Sequence, residues 1–152
     1  MIYFDNSATT KVLPEVLDTY NKVSQQVWGN PSSLHNFGEQ AFNLLEQSRK
    51  QIADLLNVHP DEIYFTSGGT EGDNWVIKGT AIEKRAFGKH LITTSVEHAA
   101  VKNSFEQLRQ LGYDVTYLPV DDEGRISIDD LKAAIRPETT LVSIMAVNNE
   151  IG

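Results

Sequence analysis

The sequence predicts an α/β fold in which a mostly parallel sheet is flanked by helices. From residue 62 onward, short apolar segments alternate with segments of helical periodicity. This alternation is typical of parallel sheets, because each parallel connection needs a crossover that is usually a helix. A chain of 152 residues with 40% hydrophobic residues is also long enough to bury a core of ordinary size.

Two helices are predicted before residue 60. Apolar residues recur at helical spacing from Leu13 to Val27, and Pro14 suits the first turn of such a helix. A loop rich in small residues follows at 29–33. A longer helix is predicted over 37–57, where apolar residues continue along one face.

The remaining chain is predicted to alternate between strands and helices. Thr70 is the predicted N-cap of the first of these helices, and Gly88 is predicted to end it. The last strand is apolar on both faces, which is typical of a central parallel strand, so we expect further chain to cover it. The predicted strands are 62–66, 90–94, 114–118 and 141–147, and the other predicted helices are 96–111 and 128–135.

Composition argues against several classes of protein. The 13 Lys and Arg residues are outnumbered by 21 Asp and Glu residues and form no basic cluster. We therefore expect neither direct nucleic-acid binding nor binding to an anionic membrane. The chain has no cysteine, which excludes disulfides and zinc–thiolate sites within it, and we predict no metal site. Without a secretory signal at the N-terminus, a cytoplasmic location is expected.

Three short segments carry candidate chemistry, and each follows a predicted strand. Ligands of parallel sheets bind beyond the carboxyl ends of the strands. In the segment 67–70, Gly69 and Thr70 could present backbone amides and a hydroxyl to a phosphate at a helix N-terminus. A plain turn with a threonine cap is the alternative.

The other two segments contain a histidine and a pair of asparagines. His98 could stack on a flat ligand or move a proton, and Asn149 could bind a ring oxygen or a carboxylate through its amide. A first-turn helical histidine without a ligand and an asparagine-rich turn are the respective alternatives.

Taken together, five segments resemble the NifS/IscS-like cysteine desulfurases of the class V aminotransferase family. Their order and spacing agree with that family along the whole chain, which makes the resemblance specific even though each motif alone is weak. The matching segments are YFDNSATT at 3–10, GNPSSLH at 29–35, FTSGGTEGDN at 65–74, EH at 97–98 and VNNEIG at 147–152.

The resemblance implies a pyridoxal 5′-phosphate enzyme of fold type I that works as a homodimer. Such enzymes take sulfur from L-cysteine, leave L-alanine, hold the sulfur as a persulfide, and pass it to an acceptor protein for iron–sulfur cluster assembly or tRNA thiolation. By the same resemblance, Gly69 and Thr70 hold the cofactor phosphate, His98 stacks on the ring as a catalytic residue, and Asn149 contacts the cofactor or the substrate carboxylate.

The resemblance also implies that this chain is the N-terminal portion of such an enzyme. The family's Schiff-base lysine and persulfide cysteine are expected beyond residue 152, so the chain is predicted to be inactive alone. We expect an N-terminal loop and helices at 1–60 and an incomplete cofactor-binding domain at 61–152. The alternatives are a selenocysteine lyase or another class V enzyme, a non-catalytic partner that docks on a complete desulfurase, and, more remotely, an unrelated nucleotide-binding domain.

Overall fold

The computed structural model describes residues 2–150 and Gly152. Ile151, which belongs to the last sequence motif, lies outside the described residues. The chain forms two compact units, divided between Phe65 and Thr66, while the division at residue 60 stays a prediction. Among the described residues, no helix is both long and apolar enough to cross a membrane.

The first unit contains two helices at the predicted places. Helix α1 spans Pro14–Gln26, with the proline at its first position, and helix α2 spans Asn36–Leu56. The imidazole of His35 caps α2 by accepting a hydrogen bond from the Gly38 amide at 3.1 Å. Asn57 then ends the helix in the left-handed conformation, with φ of 55°.

The second unit is a parallel α/β sheet, which confirms the predicted fold class. Three strands hydrogen-bond in the order β2-β1-β3, and both pairings are parallel. In chain order the elements are α3 (Gly69–Glu83), β1 (His90–Thr94), α4 (Ala99–Gln110), β2 (Asp114–Leu118), α5 (Ile128–Ala134) and β3 (Thr139–Val142).

The core of this unit lies between the sheet and helices α3 and α4. Phe105 and Leu91 are fully buried in it, Ile77 and Ala81 approach from α3, and Leu108 extends it along α4. Burying side chains of this size supplies the main favourable term in folding. The core therefore fixes both helices against the central strand, all five residues of which are buried.

Two strand predictions need correction. Residues 62–66 form no strand. Pro60–Glu62 is a 3-10 helix, and Ile63 after it has extended backbone, with φ of −96° and ψ of 124°. No strand within residues 2–150 pairs with the segment that follows Ile63. A β-strand needs a neighbour for its backbone groups. The strand predicted at 141–147 is the shorter β3, which is an edge strand rather than a central one.

A buried histidine joins all three strands at the start of β1. The two ring nitrogens of His90 lie 2.7 Å from Thr139 Oγ1 and 2.8 Å from Thr116 Oγ1. The Thr139 hydroxyl also accepts a hydrogen bond from the Arg136 amide. Burial lowers the pKa of His90 and Arg136 lowers it further, although nearby carboxylates act in the opposite direction. The neutral imidazole is therefore the form that the folded sheet favours.

Candidate functional site

The loop before α3 is held by a carboxylate that reaches back from the helix. Glu71 Oε2 accepts a hydrogen bond from the Ser67 amide at 2.5 Å, and this bond holds the pKa of the Glu71 carboxyl below its usual range. Thr70 is not the N-cap that we predicted. Helix α3 begins at Gly69, after Gly68, and no capping hydrogen bond comes from a side chain at that position.

The next amides of this loop face no acceptor within the part of the chain that the structure describes. Among the described residues, no hydrogen bond is recorded for the amides of Gly68, Gly69 and Thr70, and the first helical bond runs from Gly72 to Gly68. A Cβ atom built on Gly68 or Gly69 would have no atom within 4 Å. Open amides at the positive end of a helix dipole, with free space beside them, are suited to an anion.

A second feature of this unit is a pocket of about 450 Å³ at the carboxyl edge of the sheet. The segment after β1 contributes Glu97 and His98, α4 contributes Lys102, and the segment after β3 contributes Asn148 and Asn149. Parallel strands place the segments that follow them at the same edge. This topology brings His98 and Asn149, which are 51 positions apart in the sequence, to one pocket.

His98 combines a capping role with an exposed ring. It is the N-cap of α4, and its Nδ1 accepts a hydrogen bond from the Ala100 amide at 3.1 Å. An acceptor at Nδ1 places the proton of the neutral ring on Nε2. The ring is exposed, so Nε2 is available to a ligand. The structural role of His98 at the start of α4 is thus compatible with a role in binding a ligand.

Asn149 is exposed as well, and no hydrogen bond is recorded for its side-chain amide among the described residues. Its neighbour Asn148 is used internally: Asn148 Nδ2 donates to the Val96 carbonyl at 3.0 Å. Both asparagines line the pocket, and Asn148 also fixes the segment to which it belongs.

The lining of this pocket does not include Gly69 or Thr70. Sequence reasoning placed Glu97 and Asn148 within the candidate segments but singled out neither of them, and it missed Lys102, which also lines the pocket. A charged residue directly before a helix N-cap at the end of a buried strand is the signal that could have indicated Glu97. No local pattern distinguishes Lys102 from the other exposed lysines.

Comparison with known proteins decides the family. The Aminotransferase class-V family matches residues 2–152. This chain belongs to the class V aminotransferases. Among its relatives, a protein from Lactobacillus delbrueckii subsp. bulgaricus named "NifS/IcsS protein homolog" is 66% identical over 152 residues. "Cysteine desulfurase IscS" from Methanosarcina thermophila is 50% identical over 151 residues.

A solved structure is similar to this chain over nearly its whole length. A "NIFS-like protein" superposes with a TM-score of 0.96 at 40% identity, over 99% of this chain and 42% of that one. The chain spans 40% of the Lactobacillus relative and 37% of the Methanosarcina relative, while 100% and 99% of the chain itself are covered. The likeness therefore extends from end to end of this chain and over less than half of each relative.

Proposed function

We propose that this chain forms part of the cofactor site of a cysteine desulfurase that depends on pyridoxal 5′-phosphate. The observation that carries the proposal is the coexistence, in one unit, of a helix N-terminus with open amides and a pocket lined by His98 and Asn149. The names of the relatives support cysteine as the substrate. When bound, the cofactor supplies an electron sink that labilises bonds at the substrate's α- and β-carbons.

The residues of the first turn of α3 fit the phosphate of this cofactor. Gly69 and Thr70 present open amides, and the space that a Cβ of Gly69 would enter is empty. The Thr70 hydroxyl adds a donor on an exposed side chain. Hydrogen bonds from such groups to a charged oxygen are the stronger kind. We propose that these two residues bind the phosphate and thereby orient the ring.

His98 and Asn149 are proposed to act at the ring and the substrate. The imidazole of His98 offers a flat face for stacking and an Nε2 proton that it can donate to a ligand. The amide of Asn149 can donate to a ring oxygen or to a substrate carboxylate. Lys102, in the same pocket, adds a positive charge that favours anionic groups.

The sulfur step needs a residue that these 152 positions do not supply. A persulfide forms on a cysteine thiolate, and the chain contains no cysteine. We therefore propose that the chain alone is inactive as a desulfurase. In the complete protein we propose a homodimer in the cytoplasm that passes sulfur to an acceptor protein, either an iron–sulfur scaffold or a tRNA thiolation protein.

A comparison of two ligands tests the cofactor proposal. Pyridoxine 5′-phosphate has the ring and the phosphate but no aldehyde, so it cannot react with surface lysines, and pyridoxine lacks the phosphate as well. We expect weak binding of the phosphorylated ligand and at least tenfold weaker binding of pyridoxine, measured by NMR titration of the 152-residue chain. Equal affinities would contradict the phosphate site. Treatment with pyridoxal 5′-phosphate and borohydride should give no stoichiometric adduct on one defined lysine, and such an adduct would contradict the proposed inactivity.

A further inference from the structure

The buried carboxylate of Glu97 bridges the two segments that carry His98 and Asn149. Glu97 is 5% exposed. Its Oε1 accepts a hydrogen bond from Thr94 Oγ1 at 2.9 Å, at the end of β1, and another from the Met145 amide at 2.9 Å, beyond the end of β3. One oxygen atom thus joins the segment that follows the central strand to the segment that follows the edge strand.

Regular sheet bonding does not make this connection. The last recorded backbone bond from the β3 side to β1 runs from the Ser143 amide to the Ile92 carbonyl. After it, the two segments are joined by the Glu97–Met145 bond and by the bond from Asn148 Nδ2 to the Val96 carbonyl at 3.0 Å. The segment leading to Asn149 is therefore anchored to the sheet by side chains.

We infer that Glu97 is a positioning residue that sets the placement of Asn149 relative to His98 in the pocket. Glu97 immediately precedes His98, the N-cap of α4, so its bond to Met145 ties the start of that helix to the segment after β3. A buried carboxylate is costly unless it is hydrogen-bonded, and here its two recorded bonds both serve the connection between the strand ends. The inference rests on the proposed function only in the identity of the ligand, because the contacts of Glu97 do not depend on it.

Three variants of the 152-residue chain test the inference. Glu97→Ala removes the acceptor, Glu97→Gln keeps an oxygen at the same reach, and Glu106→Ala removes an exposed carboxylate on α4 that pairs with Arg109. Two quantities are measured: hydrogen exchange of the Met145 amide without ligand, and the affinity for pyridoxine 5′-phosphate.

We expect Glu97→Ala to accelerate exchange of the Met145 amide at least tenfold and to weaken ligand binding about tenfold. Glu97→Gln should restore both quantities to within about threefold of the wild type, and Glu106→Ala should change neither. Unchanged exchange in Glu97→Ala would overturn the inference, as would failure of Glu97→Gln to restore binding once exchange is restored.

The same measurements distinguish failure of the proposed function from failure of the inference about Glu97. If the wild type does not bind the phosphorylated ligand, the cofactor proposal fails, while the exchange of Met145 still decides whether Glu97 connects the segments. If Glu97→Ala does not fold, Thr94→Val removes one donor to the same oxygen and leaves the carboxylate in place. It should accelerate Met145 exchange by a smaller factor than tenfold, and no acceleration would count against the inference.

Discussion

Replacing Thr70 by valine should weaken the binding of a phosphorylated ligand and leave the stability of the chain nearly unchanged. Valine has nearly the shape of threonine but no hydroxyl. The Thr70 side chain is exposed, and its hydroxyl makes no recorded hydrogen bond within the described part of the chain. The side-chain bond at this residue involves its backbone, because it runs from Asn74 Nδ2 to the Thr70 carbonyl oxygen at 2.7 Å. Exposed substitutions of this kind change stability by about 0.5 kcal/mol or less.

The expected effect on binding is much larger. A hydrogen bond to a charged group contributes about 1.5–3 kcal/mol, which corresponds to a loss of roughly 10- to 150-fold in affinity for a phosphorylated ligand. Pyridoxine, which has no phosphate, should bind to the Thr70→Val variant as it does to the wild type. The matched control is Thr80→Val, the same change on the same helix about three turns away.

The measurements are NMR titrations with both ligands and thermal unfolding followed by circular dichroism. The reasoning is refuted if Thr70→Val changes the affinity for pyridoxine 5′-phosphate by less than about threefold. It is also refuted if Thr80→Val weakens binding as much as Thr70→Val does, since the loss would then reflect a general change in α3.

Three further predictions follow from the same structure. Gly69→Val should fold normally, because no atom lies within 4 Å of the added Cβ, yet bind pyridoxine 5′-phosphate more than tenfold more weakly in the same titration. The lowered pKa of His90 means that the unfolded chain binds the proton more readily. The contribution of neutral His90 to the stability of the folded chain should therefore be complete above about pH 6.5. It should be lost as the pH falls through the lower pKa that His90 has in the folded state. Thermal midpoints across pH should show this slope, and His90→Gln should flatten it. Phe105→Ala should lower the free energy of unfolding by about 3–5 kcal/mol in urea titrations, because the ring is fully buried, and a loss below about 1 kcal/mol would contradict the described core.

The sequence predicted the regular elements best where turn residues bracket a buried segment. The bounds of β1 and β2 were predicted correctly. Gly112 lies before β2 with φ of 86°, a conformation that favours glycine and marks the turn locally. Such signals are contained in the few residues at each junction, so they are available without knowledge of the fold.

The wrong predictions concern features that depend on distant residues. The segment 62–66 has the composition of a strand, but a strand is defined by its partner, and the described residues supply none. Thr70 is a good capping residue by type, yet Glu71 reaches back to the Ser67 amide instead. Which side chain binds an amide of this loop depends on the geometry of the loop, and that geometry is not specified by the residue types alone.

The candidate site shows the same division. Topology predicted that the segments after the strands meet at one edge, and two of the three segments line one pocket, while the roles of Gly69, Thr70, His98 and Asn149 stay predictions. The anchoring of that pocket could not be predicted. Past Ser143 the chain leaves the sheet ladder, and single side chains, Glu97 and Asn148, replace the repeating backbone bonds. A strand in a sheet produces a repeating pattern of hydrophobic residues in the sequence, whereas a contact made by one side chain produces no such pattern. Sequence periodicity is therefore least informative at the strand ends of this unit, where a parallel sheet places its ligands.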